Sequence, residues 1–247
     1  MSRYVLKTRA DTPELRKAAM AIEQAAWSSL GFLNFTRAHF AFYQDLLEQH
    51  ADCQLCLVDQ ETGYPVAVGN CVPLACDLNN LPPEGWDWIV ETAAAGSRTP
   101  RNALGALAIS VPSLHRGKGV ARRLIEGFRA LAEKKGLDGV IAPVRPSEKC
   151  RHPFISMEEY VNWTDEKGRQ FDPWVRSHMA AGGRIVGHAS RSMVVDEPIA
   201  FWETWTGRRF AESGQYTIEG ALVPMSIELE SGVGRYVEPN VWFAYAA

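Results

Sequence analysis

Apolar positions along this chain change period several times, and each change marks an element. Tyr4-Val5-Leu6 is a short apolar run that predicts a first strand. Thr12-Pro13-Glu14 supplies a capping residue, a proline at the first helical position and an acid in the first turn, which predicts a helix to about Trp27. Phe35–Leu47 is aromatic with a helical pattern and suits a substrate wall. Gln54–Val58 and Val66–Val72 flank Gln60–Pro65 and read as a hairpin. Regularity breaks between Asp77 and Asn102, where Leu81–Gly85, a short helical stretch Trp86–Ala94 and Gly96–Pro100 form an ordered excursion and a candidate lid.

The second half alternates strands and helices. Ala103–Val111 reads as a buried strand, and a helix follows from about Gly119 to Lys135, with Val120, Leu124, Ile125, Phe128 and Leu131 at helical spacing and Gly136 as its stop. Val140–Val144 is the next apolar strand. Ser156-Met-Glu-Glu159 is a capping box for a short helix ending near Trp163, and Asp172-Pro173 caps another that stops at Gly182-Gly183. Arg184–Gly187 reads as a strand, Pro198–Trp205 as a helix closed by Gly207, and Tyr216–Leu229 and Val241–Tyr245 as β-rich. Helices alternating with strands in the middle, and hairpins at both ends, predict one mixed-sheet α/β domain with a C-terminal elaboration.

Composition narrows the function classes. The 247 residues are 46% apolar and 22% charged, ordinary for a globular chain with a sizeable core. A net charge of -3 argues against a whole-protein attraction for nucleic acid or anionic membranes. The five cysteines have no framework spacing and predict reduced thiols in a cytoplasmic protein. Met1–Arg9 is polar and lacks an apolar signal core, and no apolar stretch reaches the length of a membrane span. Cys53-Gln-Leu-Cys56 has no second pair at zinc spacing, so no metal is expected.

The chemical signal is a strand, then His115-Arg-Gly-Lys-Gly-Val-Ala121, then an amphipathic helix. A pyrophosphate needs several donors converging on one point, which the free N–H groups and aligned dipoles of a helix start provide. Gly117 and Gly119 let the main chain approach closely, Ala121 keeps the first turn thin, and Arg116, Lys118, Arg122 and Arg123 add local positive charge. A Walker A loop would need four residues between its glycines, then Gly-Lys-Ser/Thr. A Rossmann fingerprint would place glycine or alanine where Arg122 stands, and an acid where Val144-Arg145 ends the next strand.

Arg116-Gly-Lys-Gly-Val-Ala121 resembles the R/Q-x-x-G-x-G/A signature of the GNAT acyltransferases at all four fixed positions. The resemblance implies a GNAT fold over residues 1–190, with a mixed central sheet splayed around an acyl-coenzyme A cleft, and a β-rich elaboration over 191–247 packed on the same domain. It implies that the coenzyme enters a gap between Ala103–Val111 and Val140–Val144, with the main chain near Ile109 and Val111 pairing with the pantetheine arm. Arg116, Gly117, Lys118, Gly119, Val120 and Ala121 would hold the pyrophosphate. A second resemblance, carried by Arg145–Lys149, Phe171–Arg176, Trp205-Thr-Gly207 and Glu238–Trp242, is to the GNAT-like loading domains of modular polyketide synthases. Those domains are implicated in decarboxylating malonyl-coenzyme A and loading acyl groups onto a carrier protein.

The same resemblances select candidate catalytic residues. His178, four residues before Gly182, stands where many GNAT enzymes place a tyrosine facing the thioester sulfur, and a histidine there would donate to a leaving thiolate or polarise the carbonyl. Its helical face also carries Trp174 and Ala181, which fits a core histidine. Ser147 follows the strand bordering the gap, where its hydroxyl would bond a carboxylate or an enolate, or close a turn after Pro146. Arg191 would pair with a malonyl carboxylate or a coenzyme phosphate, or stand in solvent. Trp27 would wall the acyl pocket or fill the core. Three functions follow: transfer from acetyl- or malonyl-coenzyme A to an amine or a carrier-protein thiol, decarboxylation of malonyl-coenzyme A, or non-catalytic acyl-coenzyme A binding.

Overall fold

The computed structural model describes residues 3–247; Met1 and Ser2, the start of the polar N-terminal stretch, lie outside the described residues. Among the described residues the strands β1 (Tyr4–Thr8), β2 (Leu55–Asp59), β3 (Pro65–Leu74), β4 (Ala103–Ser110), β5 (Gly139–Val144), β6 (Arg184–Pro198), β7 (Gly214–Tyr216), β8 (Met225–Glu228) and β9 (Val233–Ala246) form one sheet. Its order is β1-β2-β3-β4-β5-β9-β8-β7, with β6 on β9. β4 and β5 run parallel and the other pairings are antiparallel. That is the expected mixed α/β architecture.

Helices cover both faces because the strands are apolar on both sides. β2 and β3 are buried at every position. One face carries α1 (Arg16–Trp27), α2 (Gln44–Gln49), α3 (Gly85–Ala95) and α7 (Ile199–Thr206). The other carries α4 (Val120–Lys134), α5 (Met157–Tyr160) and α6 (Pro173–Ala180). α4 buries Val120, Leu124, Ile125, Phe128 and Leu131, the stripe its spacing predicts. Each such side chain contributes about 1.5–3 kcal/mol. Two caps act as the sequence indicates: Ser156 accepts from the Glu159 amide at 3.0 Å, and Asp172 accepts from the Trp174 and Val175 amides at 2.9 and 3.0 Å. Thr12 does not cap its helix, because its hydroxyl donates back to the Thr8 carbonyl at 2.8 Å.

Three expectations change. The stretch Asp77–Asn102 is no lid: α3 inserts Trp86, Ile89, Val90 and Ala93 into the core. Phe35–Leu47 is not one helix. A 3-10 segment Ser28–Phe35 ends at extended Thr36, and a π-turn over His39–Tyr43 leads into α2. The strands β6 and β9 are far longer than Arg184–Gly187 and Val241–Tyr245, and they pair with each other from Arg184↔Ala244 to Pro198↔Val233. Asp196, Glu197 and Arg235 on their outer parts broke the apolar pattern without breaking the ladder. β9 holds β6 along one edge and β5, then β8, along the other.

Gly139 tests how tightly β5 is clamped, because a Cβ there would fall well inside contact distance of the Tyr245 carbonyl on β9. Gly139→Ala is expected to lower stability by about 3 kcal/mol, the upper end of overpacking penalties, since backbone cannot swing aside. Urea denaturation of the two proteins measures it.

Candidate functional site: a gap between two parallel strands

β4 and β5 pair only through Ala103↔Gly139, Leu104↔Val140 and Gly105↔Ile141. Beyond that point each follows its outer neighbour. Ala108, Ile109 and Ser110 pair with Asn70, Gly69 and Val68 of β3. Ala142, Pro143 and Val144 pair with Phe243, Trp242 and Val241 of β9. The register along β3 steps from Asn70↔Ala108 to Cys71↔Ala106, so Leu107 has no residue opposite and forms a bulge at the mouth of the gap. A bulge adds local twist, which turns the second half of β4 away from β5. The Trp86 indole of α3 donates to the Leu107 carbonyl at 2.8 Å and fixes that kink. The facing edges beyond Gly105 and Ile141 are left without a strand partner across the gap; Ile109 lies on this stretch of β4, and Val111 just after it has its carbonyl bonded by Arg116.

The Arg116–Gly119 loop follows the splayed end of β4 and is exposed. Gly117 and Gly119 both have φ +72°, and Gly119 is the N-cap of α4. A Cβ at either would meet nothing within 4 Å, so the backbone conformation, not crowding inside the protein, calls for glycine. No side chain caps α4, which leaves its first-turn amides open to an acceptor. Arg116 donates to the Val111 carbonyl at 3.2 Å, folding the loop back towards the gap. Arg122 is bonded to Glu126 at 2.9 Å, and Arg123 lies 5.5 Å over the Tyr4 ring. Lys118 has no ion pair among the described residues. Open amides, two left-handed glycines, and Val120 and Ala121 starting the helix fit a pyrophosphate at the entrance of the gap.

The four catalytic candidates fall into separate places. Trp27 ends α1, and its indole donates to the Ser110 hydroxyl at 2.9 Å, so it walls the splayed end of β4. Ser147 is exposed after β5 and bonds the Asp172 carboxylate at 3.3 Å. Asp172 is fully buried and also accepts from the Glu148 amide at 2.8 Å and the Tyr160 hydroxyl at 2.9 Å. It thereby joins the Ser147 loop to the helix that carries His178. Arg191 sits apart, at an irregularity of β6 between Ala189 and Met193. Its amide donates to the Pro83 carbonyl at 2.9 Å, and its guanidinium is paired with Glu84.

His178 is buried on β9, with ring centroids 4.2 Å from Trp174 and 5.2 Å from Phe243. β5 stands between β9 and the gap. Burial lowers the imidazole to about 3, so it is neutral near pH 7. Its Nδ1 is in short contact with the Tyr245 hydroxyl, and its Nε2 is buried without a partner. Burial pushes the Tyr245 phenol up, so it keeps its proton and donates to Nδ1. The remaining ring proton then sits on Nε2 as a hydrogen-bond donor.

One buried network was not read from the sequence. Asn70 of β3, opposite Ala108 beside the bulge, donates to Glu23 and to the Tyr43 hydroxyl at 2.8 Å and accepts from Arg9 at 3.0 Å. Arg9 and Glu23 are also paired. A lone asparagine in an otherwise apolar ten-residue strand was the available signal. Among the described residues no cluster of His, Cys, Asp or Glu is placed to hold a metal, and no helix is long and apolar enough to cross a membrane.

Comparison with known proteins agrees with this fold. No protein-family model matches the chain. An arginine N-acetyltransferase of Aspergillus versicolor is 37% identical over 246 residues, covering 91% of this chain and 81% of the relative. The loading GNAT-like domain of CurA from Lyngbya majuscula superposes with a TM-score of 0.57 at 15% identity, over 99% of this chain and 98% of that one. The GNAT-like decarboxylase GphF, solved with isobutyryl-coenzyme A, superposes with a TM-score of 0.56 at 17% identity, over 99% of both chains.

Two predictions follow from the loop and the histidine. Gly119→Asn keeps a residue that tolerates a left-handed backbone, whereas Gly119→Val does not. If pyrophosphate approach requires the absence of a Cβ, both variants lose about ten- to a hundredfold in coenzyme affinity by calorimetry, and only the valine lowers the melting temperature. For His178, the folded value near 3 lies below the ordinary 6.5, so the unfolded chain binds a proton that the folded chain refuses between those pH values. Its contribution is complete above pH 6.5 and is lost by about 1.4 kcal/mol per pH unit as pH falls towards 3. His39, lowered to about 4 by burial, adds the same sign, and Asp87, raised to about 7 by burial, the opposite. The difference in urea stability between wild type and His178→Gln, followed from pH 7 to 4, isolates the His178 slope.

Proposed function

Because this chain belongs to the GNAT superfamily of acyl-coenzyme A-dependent acyltransferases, we propose that it transfers an acyl group from acetyl-coenzyme A to a nitrogen of an arginine-like acceptor. The observation that carries this reading is the extent of the 37% identity, which covers 91% of this chain and 81% of the relative. In this reading the thioester lies at the Leu107 bulge, with its pyrophosphate on the amides that open α4. The acceptor nitrogen, free of its proton, attacks the thioester carbonyl. Backbone N–H groups along the unpaired edge of β4 stabilise the oxygen as charge develops on it. Collapse breaks the carbon–sulfur bond and expels the coenzyme thiolate, and the proton that the acylated nitrogen loses balances the one that the thiolate takes up.

His178 is the candidate group for the thiolate. As a neutral imidazole it acts through its Nε2 proton and needs no imidazolium at neutral pH; because that atom is buried, with β5 between β9 and the gap, coenzyme binding must uncover it for the departing sulfur to reach it. Tyr245 fixes the tautomer and Asp172 fixes the helix, so both are positioning residues. Trp27 closes the acyl end. Ser147 and Arg191 are less suited to the malonyl carboxylate: the Asp172 carboxylate beside Ser147 repels a second anion, and Arg191 is already paired with Glu84. These contacts favour transfer of an uncharged acyl group over decarboxylation of malonyl-coenzyme A.

The deciding experiment incubates the protein with acetyl- or malonyl-coenzyme A and arginine, with and without an acyl carrier protein, and follows free thiol, carbon dioxide and product mass. The expected outcome is thiol release coupled to arginine gaining one acetyl group. Carbon dioxide without acetylarginine, or acylation of the carrier protein alone, would replace the proposal with the loading-domain reading. His178→Ala is expected to slow transfer about 100- to 10,000-fold per folded molecule while coenzyme affinity persists. A rate that follows only the folded fraction would make His178 a core residue.

A further inference from the structure

Between α3, the middle of β6 and the segment around residues 35–40 lies a cleft of about 660 Å³. Its lining is strongly biased in charge. Glu84, Asp87 and Glu91 of α3 and its N-cap face Asp196 and Glu197 of β6, against two arginines, Arg37 and Arg191. Phe35 and Phe40 complete the wall and are exposed, Phe40 to 85%. Two of the five carboxylates are already engaged, Glu84 with Arg191 and Asp196 with Arg235. Glu91 and Glu197 have no ion pair among the described residues. In a chain of net charge -3, this concentration is local.

Asp87 is the deepest of these groups and the one built into the fold. Its Oδ2 accepts from the Val194 amide at 2.9 Å, which fixes the carboxylate between α3 and β6. Its Oδ1 is buried and accepts no well-formed hydrogen bond, although the Thr36 hydroxyl lies near enough to favour the charged carboxylate. A buried carboxylate oxygen left unpaired costs free energy that a cation would recover. Burial, with Glu91 adding to it, accordingly raises this acid to about 7 against the pull of Val194 and Thr36. Trp86, its neighbour in α3, donates to the Leu107 carbonyl at the strand bulge, so the helix that lines the cleft also packs on the gap.

We propose that this cleft is the acceptor subsite and that Asp87, with Glu91 beside it, binds the guanidinium of an arginine-like acceptor. The inference rests on the N-acyltransferase reading above and adds where and by what the acceptor is held. A planar guanidinium bonds a carboxylate through two parallel N–H groups, a pairing a neutral urea lacks the charge to match. The aromatic faces of Phe35 and Phe40 offer a further cation-stacking surface. Arg37, which has no ion pair among the described residues, supplies the one cationic group open to an acceptor carboxylate.

Calorimetric titration of the full chain, saturated with coenzyme A, tests the proposal with arginine, agmatine and the neutral isostere citrulline. Arginine is expected to bind, citrulline at least tenfold more weakly, and Asp87→Asn and Glu91→Gln each to lower arginine affinity tenfold or more. Glu91 is exposed, so Glu91→Gln remains informative should Asp87→Asn fold poorly, which circular dichroism reports. Citrulline binding as tightly as arginine, unchanged arginine affinity in both variants, or no binding of either cation overturns the cleft. The acyl-transfer reading fails separately. Cations that bind in an Asp87-dependent way but gain no acetyl group leave the subsite standing without that reaction. Acetylation of arginine with a KM indifferent to both substitutions leaves the reaction standing without this subsite.

Discussion

Three residue pairs between β4 and β5 hold the rest of this structure in place. They fix the vertex of a gap, and everything around it keeps the gap from closing. Two parallel strands would ordinarily continue to pair, since an unpaired buried backbone edge is costly. Here β3 takes the second half of β4, β9 takes the second half of β5, and the Leu107 bulge supplies the twist that separates them. The Trp86 indole bonds the bulge carbonyl, so a helix on one face holds open a site that the helices of the other face serve.

The C-terminal segment is part of this arrangement. β9 flanks β5 and carries Tyr245, the hydroxyl partner of His178. Buried polar bonds tie it to the loop after β5: Arg145 pairs with Glu238 at 2.7 Å, Tyr236 donates to Glu238 at 2.7 Å, and the fully buried Lys149 donates to the Leu222 and His152 carbonyls at 2.8 Å. Burial lowers the Lys149 ammonium and would lower Arg145, but the Glu238 charge prevails and holds the guanidinium up. Removing one member of such a set leaves an uncompensated buried charge, commonly costing about 3–5 kcal/mol. The loop carrying Ser147 is therefore set by residues more than seventy positions away.

The backbone of the candidate coenzyme loop was the legible part, because its geometry is local. A strand, a loop with two glycines and an amphipathic helix are contiguous, and their physics needs no distant partner. The cleft proposed for the acceptor was not legible. Asp87, Glu91 and Glu197 belong to segments a hundred residues apart, and each alone reads as a solvated charge. From sequence α3 reads as part of a candidate lid, because a short helix between glycine- and proline-rich turns looks the same whether it covers a site or enters the core. The Arg9–Glu23–Asn70–Tyr43 set likewise joins four elements, and only Asn70 stood out from its surroundings.

By itself, then, the sequence determined the sequential pattern of strands and helices, the mixed sheet and the phosphate-type loop at the start of α4, since hydrophobic period, capping residues and glycine spacing act over a few neighbouring positions. Tertiary structure decided the length of β6 and β9, whose charged outer residues hide a ladder that only the partner strand reveals. It decided that His178 is neutral, because the apolar walls of Trp174 and Phe243 come from a helix and a distant strand. It also decided the sign of the cleft. Desolvation and charge depend on what surrounds a group in space, and no local pattern of residues specifies that surrounding.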